Sequence, residues 1–196
     1  MTTEVQPRFE FRVWGKDLGG PAGRLRRLSG ESQDVRSEET YVIAIERDDV
    51  NAKIRDGLLD IKVLSAVSQR CELWRPWLKA DFPLAASLLL EEVLPRLGVV
   101  ELDLHWDSYS LATFIDDVIR SHPQLHVVDL SKRRLKYDIA GCLAEFAEVT
   151  VNRHELATLA AESADLDALR ELLRRLGIEG FENVSYPLAI KRALGW

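Results

Sequence analysis

Asn51-Ala52-Lys53-Ile54-Arg55-Asp56-Gly57-Leu58-Leu59-Asp60-Ile61-Lys62 reads as two strands joined by a two-residue turn. Asp-Gly is a favoured centre for a tight hairpin, because both positions need a backbone conformation that these residues tolerate. Such a turn sets Arg55 opposite Leu58, Lys53 opposite Asp60 and Asn51 opposite Lys62. Side chains alternate across a strand, so these six share one face while Ala52, Ile54, Leu59 and Ile61 share the other. An antiparallel hairpin ordinarily turns a charged face to water. Here the same alternation of charged with apolar residues recurs in other strands far along the chain.

Towards the N-terminus, Phe9 to Trp14 alternates Phe9, Phe11 and Val13 with Arg8, Glu10 and Arg12, a period-two strand. A Gly/Pro-rich stretch (Gly15 to Gly23), a short basic segment and a polar loop from Ser29 to Glu39 lead to a strand at Tyr41–Ile45. After the hairpin, Leu64 to Val67 extends its second arm, and Cys71 to Arg75 is a strand that ends before Pro76. Pro83 suits the first turn of a helix running to Gly98, and Leu111 to Ile119 has amphipathic helical spacing. Leu125–Leu130, Arg134–Ile139, Leu143–Val151 and Leu156–Ala161 read as four successive strands, with a tight turn at Asn152-Arg153. A helix from Leu166 to Leu176 stops at Gly177, and Ser185-Tyr186-Pro187 opens a closing helix to Leu194.

Strands therefore come in two groups of about four, separated by helices and without β-α-β alternation, which is an α+β pattern. Two antiparallel halves form either a sandwich or a barrel. An eight-stranded antiparallel barrel with helices packed outside accounts better for charged inner faces, because a wide barrel encloses a polar lumen. At 196 residues, a single domain spanning 1–196 is expected.

The formal net charge of −6 argues against general nucleic-acid binding, which needs a basic field. Arg24-Leu25-Arg26-Arg27 and Lys132-Arg133-Arg134-Leu135-Lys136 are local basic clusters that suit a small anion better than a polymer. Cys71 and Cys142 lack a C-x-x-C spacing and read as buried thiols, in keeping with a cytoplasmic protein. Met1 to Pro7 has no secretory pattern, and the apolar stretch from Leu84 to Leu90 is too short for a membrane span.

Several short motifs, in order, resemble those of the CYTH domains, also called triphosphate tunnel metalloenzymes. Arg8-Phe9-Glu10-Phe11-Arg12 stands where that family has an E-x-E-x-K strand, and Glu39-Thr40-Tyr41 resembles the acidic-aromatic start of its second strand. Lys53-Ile54-Arg55 with Leu59-Asp60-Ile61-Lys62 is similar to its basic hairpin. Arg134, Lys136 and Asp138 resemble a later mixed-charge strand, Ala144 to Val149 a late acidic strand, and Glu162 falls near the last. The resemblance implies a barrel whose lumen holds a triphosphate-bearing molecule, a nucleotide or polyphosphate. It implies that Arg12, Lys53, Arg55, Lys62, Arg134 and Lys136 grip phosphate oxygens. It also implies that Glu10, Asp138, Glu145, Glu148 and Glu162 hold Mg²⁺ or Mn²⁺, with Glu10 and Glu148 serving hydrolysis. The residue types agree: guanidinium and ammonium groups suit phosphate, and carboxylates suit hard divalent ions.

The chain also departs from the pattern. Arg8 replaces the first motif carboxylate, which reverses the local charge and weakens the case for a divalent ion. Glu145 and Glu148 are three apart, so a regular strand sends them to opposite faces and only a bulge aims both inward. Glu10 between two arginines reads equally as a structural ion pair, and Asp60 as a cross-strand partner of Lys53. The four histidines show no metal-ligand spacing, and the tryptophans read as packing residues, with Trp74 or Trp77 the candidates for stacking at a mouth. Three functions remain in view: a metal-dependent triphosphate hydrolase, a binder of phosphorylated small molecules without turnover, and a barrel whose charges only pair with one another.

Overall fold

In a computed structural model, which describes residues 6–196, eight strands close into an antiparallel barrel. The N-terminal segment whose composition was read above for a leader lies largely outside the described residues. The barrel strands are β1 (Arg8–Gly15), β2 (Gln33–Ala44), β3 (Val50–Arg55), β4 (Leu58–Ser68), β5 (Cys71–Asp81), β8 (Leu125–Ile139), β9 (Cys142–Val151) and β10 (His154–Ser163). Their order around the barrel is β1-β10-β9-β8-β2-β3-β4-β5. A separate two-stranded ribbon pairs β6 (Leu84–Ala85) with β7 (Ser108–Tyr109).

The β3–β4 hairpin has the expected register, Arg55 with Leu58, Lys53 with Asp60 and Asn51 with Lys62. Asp56 and Gly57 both have positive φ, the conformation a primed two-residue turn needs. The groups of strands divide five and three, rather than four and four. Leu125–Leu130 and Arg134–Ile139 are one continuous strand with no break at Ser131–Arg133. β2 begins earlier than its apolar core, since pairing with β8 carries polar residues into the sheet. β5 does not end before Pro76 but runs through it to Asp81, with Pro76 opposite Lys62 where the β4 register shifts. Gln33 to Glu39 is strand rather than loop, and Gly19–Ser29 is helix α1.

Two helical layers cover opposite outer faces of the barrel. Over β2, β3 and β4 lie α2 (Ala86–Leu88), continued as a π-helical turn at Leu89–Val93, and α3 (Leu111–Thr113), continued likewise at Phe114–Ile119. Val42, Ala52, Ile54, Leu59 and Ile61 meet Leu89, Val93, Phe114 and Val118 there. Pro83 precedes this helical segment instead of starting it, because Leu84–Ala85 is taken by the ribbon. Over β1, β10 and β9 lie α1 and α4 (Leu166–Leu176), where Phe11, Val13, Leu159 and Ala161 pack on Leu25, Leu169, Leu173 and Leu176. Cys71 and Cys142 are buried free thiols in this layer. None of the described helices is long and apolar enough to cross a membrane.

The closing helix α5 (Tyr186–Leu194) enters one end of the barrel itself. Tyr186 and Ile190 pack on Tyr41, Ile43, Val128, Leu130, Ala147, Val149 and Val151, all on inward-facing positions. Lys191 Nζ donates to the Ile45 and Arg47 carbonyls and to Asp48 Oδ1 at 2.7 Å, which pins the plug to the rim. The α4 layer is fixed more locally: the Asp165 side chain accepts from the Asp167 and Ala168 amides, and Gly177 ends the helix in the left-handed conformation. Asp165→Ala is expected to lower unfolding free energy by about 1 kcal/mol in urea titration without altering the lumen.

Candidate functional site in the barrel lumen

Strand alternation decides which side chains enter the lumen. On β1 the inward positions include Glu10 and Arg12, on β3 Asn51, Lys53 and Arg55, and on β4 Asp60 and Lys62. β8 contributes Lys132, Arg134, Lys136 and Asp138, β9 Glu145 and β10 Glu162. All line one cavity of about 880 Å³, which has Tyr41 and Tyr186 at its plugged end. The six cations named from the sequence, Arg12, Lys53, Arg55, Lys62, Arg134 and Lys136, therefore face a common space.

Glu148 does not. β9 pairs regularly with both neighbours and carries no bulge, so Glu145 points inward and Glu148 outward. Glu148 lies 3.5 Å from Arg133 on the outer surface, and Arg133 is itself held by Asp34 at 2.8 Å. A role for Glu148 in hydrolysis or metal binding in the lumen is thereby excluded by position. Asp60 is opposite Lys53 in register, yet the Lys53 ammonium reaches across to β2 instead, 3.3 Å from Glu39. Trp77 lies outside, stacked under the Arg96 guanidinium, and Trp74 donates to Glu72, so neither lines the cavity.

Glu39 and Lys132 are the centre that motif reading did not assign. The Glu39 carboxylate is fully buried, with Lys132 Nζ at 2.7 Å, Lys53 Nζ and Arg55 Nη1 each at 3.3 Å, and Arg134 Nη1 at 3.9 Å. Burial alone would raise its pKa; Lys132 and then Lys53 overcome that and hold it far below the usual 4.5. Lys132 also donates to Tyr41 OH at 2.9 Å, and its ammonium lies 3.7 Å from the Tyr186 ring centre. Burial, with Lys53 and Arg12 nearby, pushes Lys132 down to about 7 against the pull of Glu39.

A second set of contacts lies beside β1. Arg12 Nε donates to Glu10 at 2.8 Å, its Nη1 to Thr158 at 3.3 Å, and its guanidinium carbon is 4.4 Å from the Tyr186 ring centre. Glu10 is half-buried, which by itself would raise its pKa, but Arg12 and Lys62 keep its carboxyl below the ordinary range. Glu145 lies between two arginines, 3.7 Å from Arg12 Nη1 and 3.9 Å from Arg134 Nη1. Glu162 pairs with Arg8 at 2.9 Å, so this carboxylate too is neutralised by a cation.

These contacts decide how well the lumen suits a divalent ion. Glu10, Glu145, Glu162 and Glu39 each have an arginine or lysine as nearest charged partner, and Asp138 is exposed. Among the described residues no three carboxylate, histidine or cysteine side chains are grouped as one ion would require. The donor set as arranged does not fit Mg²⁺ or Mn²⁺, which need several oxygens converging on one point.

What the lumen does offer is unmet hydrogen-bonding capacity. Among the described residues, Lys62 and Lys136 have no carboxylate within 4 Å, and Arg134 has none within hydrogen-bond distance. Arg134 Nε, Asn51 Oδ1 and Tyr186 OH are buried without partners, and all three residues line the cavity.

No family model matches the chain. Nor does any curated protein. Among solved structures it is similar to the PH1012 protein of Pyrococcus horikoshii, at 15% identity and TM-score 0.49, over 95% of this chain and 98% of that one. The Bacillus halodurans protein bh2851 matches at 15% identity and TM-score 0.48, over 98% of each chain. The Schizosaccharomyces pombe Pct1 RNA triphosphatase matches at 10% identity and TM-score 0.31, over 98% of this chain and 84% of that one. At these identities and scores, they neither assign the chain to a family nor lend it an activity.

Proposed function

We propose that the barrel is a receptor for a small polyphosphorylated molecule, held in the lumen without turnover. The observation that carries this reading is the convergence of Lys62, Arg134 and Lys136 on one cavity with, among the described residues, no carboxylate in hydrogen-bond contact with any of them. An anion in the cavity would complete their bonding, and phosphoryl oxygens suit both the guanidinium fork and the ammonium point charges. Several cations spread along a cavity match an extended chain of phosphates better than a single carboxylate.

The same geometry argues against hydrolysis. In-line attack on a triphosphate needs a group that bridges the phosphate oxygens and a carboxylate free to orient water. Here Glu10 is bonded to Arg12, Glu39 to Lys132, and Glu148 lies outside.

Thermal unfolding with inorganic triphosphate, ATP and thiamine triphosphate tests the reading. At 100 times its dissociation constant, a bound anion is expected to add about 2.7 kcal/mol of stability, while phosphate release stays at the uncatalysed rate. No stabilisation by any of the three would remove the receptor. Rapid phosphate release in Mg²⁺ or Mn²⁺ would replace it with an enzyme.

A further inference from the structure

We infer that Glu145 is a resident counter-anion that the ligand's phosphoryl group displaces from Arg12 and Arg134, so that anion binding in the lumen needs no divalent ion. This rests on the receptor reading above and adds a site, a competing group and a sign. Glu145 spans the two guanidinium groups at 3.7 and 3.9 Å, beyond hydrogen-bond reach of either. Arg12, by contrast, is firmly seated elsewhere: on Glu10 at 2.8 Å, on Thr158 and against the Tyr186 ring. Arg134 is buried with its Nε unpartnered, and its other carboxylate neighbour, Glu39, is also 3.9 Å away.

Two buried guanidinium groups thus share one loosely held carboxylate at the wall of an open cavity. A phosphoryl group has more charge and more acceptor oxygens than that carboxylate and makes short, bidentate bonds to arginine. The carboxylate balances the empty site and opposes the filled one, because a bound phosphate then stands beside a like charge. The positive charge that meets the phosphoryl group is supplied by the side chains themselves.

The two alternatives for Glu145 predict opposite signs. If it competes with the ligand, Glu145→Gln raises the affinity for inorganic triphosphate by about tenfold. If it is a metal ligand, the same change lowers an affinity that depends on Mg²⁺ or Mn²⁺. Calorimetric titration of the full chain with inorganic triphosphate, in EDTA and in excess Mg²⁺, reads both. Wild-type affinity is expected to be at least as high in EDTA as with the ion, which itself chelates the triphosphate oxygens, and this comparison stands even if the variant folds poorly. Affinity that collapses in EDTA, or falls in Glu145→Gln, overturns the inference and leaves the receptor standing. No binding by either protein would overturn both.

Discussion

Glu39→Gln is expected to lower the unfolding free energy by about 3–5 kcal/mol, the cost of removing one member of a buried, hydrogen-bonded charge group. The amide keeps the volume and shape of the side chain, so packing cannot account for the loss. What it removes is a fully buried charge that faces Lys132 at 2.7 Å and Lys53 and Arg55 at 3.3 Å. Urea titration checks this against Glu38→Gln, one residue away on the exposed outer face, where the change should stay within about 0.5 kcal/mol. The pH dependence has a definite sign. Glu39 is ionised in the native state far below its ordinary value of 4.5, so its contribution is complete above that value and is lost as pH falls beneath it. The wild type should weaken more steeply in acid than Glu39→Gln. A loss under about 1 kcal/mol, with parallel acid profiles, would show that the four cations do not depend on Glu39.

Much of the barrel was legible because its strands obey a strict two-residue alternation. Once Asp56-Gly57 sets the register, the inward placement of Lys53, Arg55, Asp60 and Lys62 follows from the pleat. The same rule placed Phe9, Phe11 and Val13 under the helices and Glu10 and Arg12 in the lumen. It failed where alternation is between polar residues on both faces. Gln33 to Glu39 has few apolar markers and looked like a loop, although its odd-numbered positions lead inward to Glu39. Lys132 was hidden in a basic run that looked like a strand break, yet its neighbours Arg133 and Arg134 point to opposite sides of a continuous strand. Continuing the Val128, Leu130 parity forward would have placed Lys132, Arg134 and Lys136 together inside. The plug by α5 had no local signal, because Tyr186 and Ile190 read as the apolar face of any short helix.

The second large effect concerns affinity rather than stability. Replacing Lys62 and Lys136 together by alanine is expected to weaken inorganic triphosphate binding by roughly two orders of magnitude, from about 1.5 kcal/mol or more for each charge-assisted contact. Neither ammonium has a carboxylate within 4 Å among the described residues, so the substitutions break no ion pair. They relieve a repulsion, since Lys62 helps to lower the Lys53 pKa, and give up the longer-range attraction of Lys62 to Glu10. With these effects opposed, stability of the free protein should change little while affinity falls, a combination that general unfolding cannot produce. Arg133→Ala supplies the control for nonspecific charge. Arg133 adjoins Arg134 in sequence but faces outward, paired with Asp34 and Glu148, so its loss removes a positive charge without touching the cavity. Equal losses of affinity in the Arg133 variant and the double variant would mean that the anion reads overall surface charge. A loss confined to Lys62 and Lys136 requires the ligand to be inside the barrel, because these two side chains share the lumen and are carried by strands β4 and β8, which are not adjacent in the sheet.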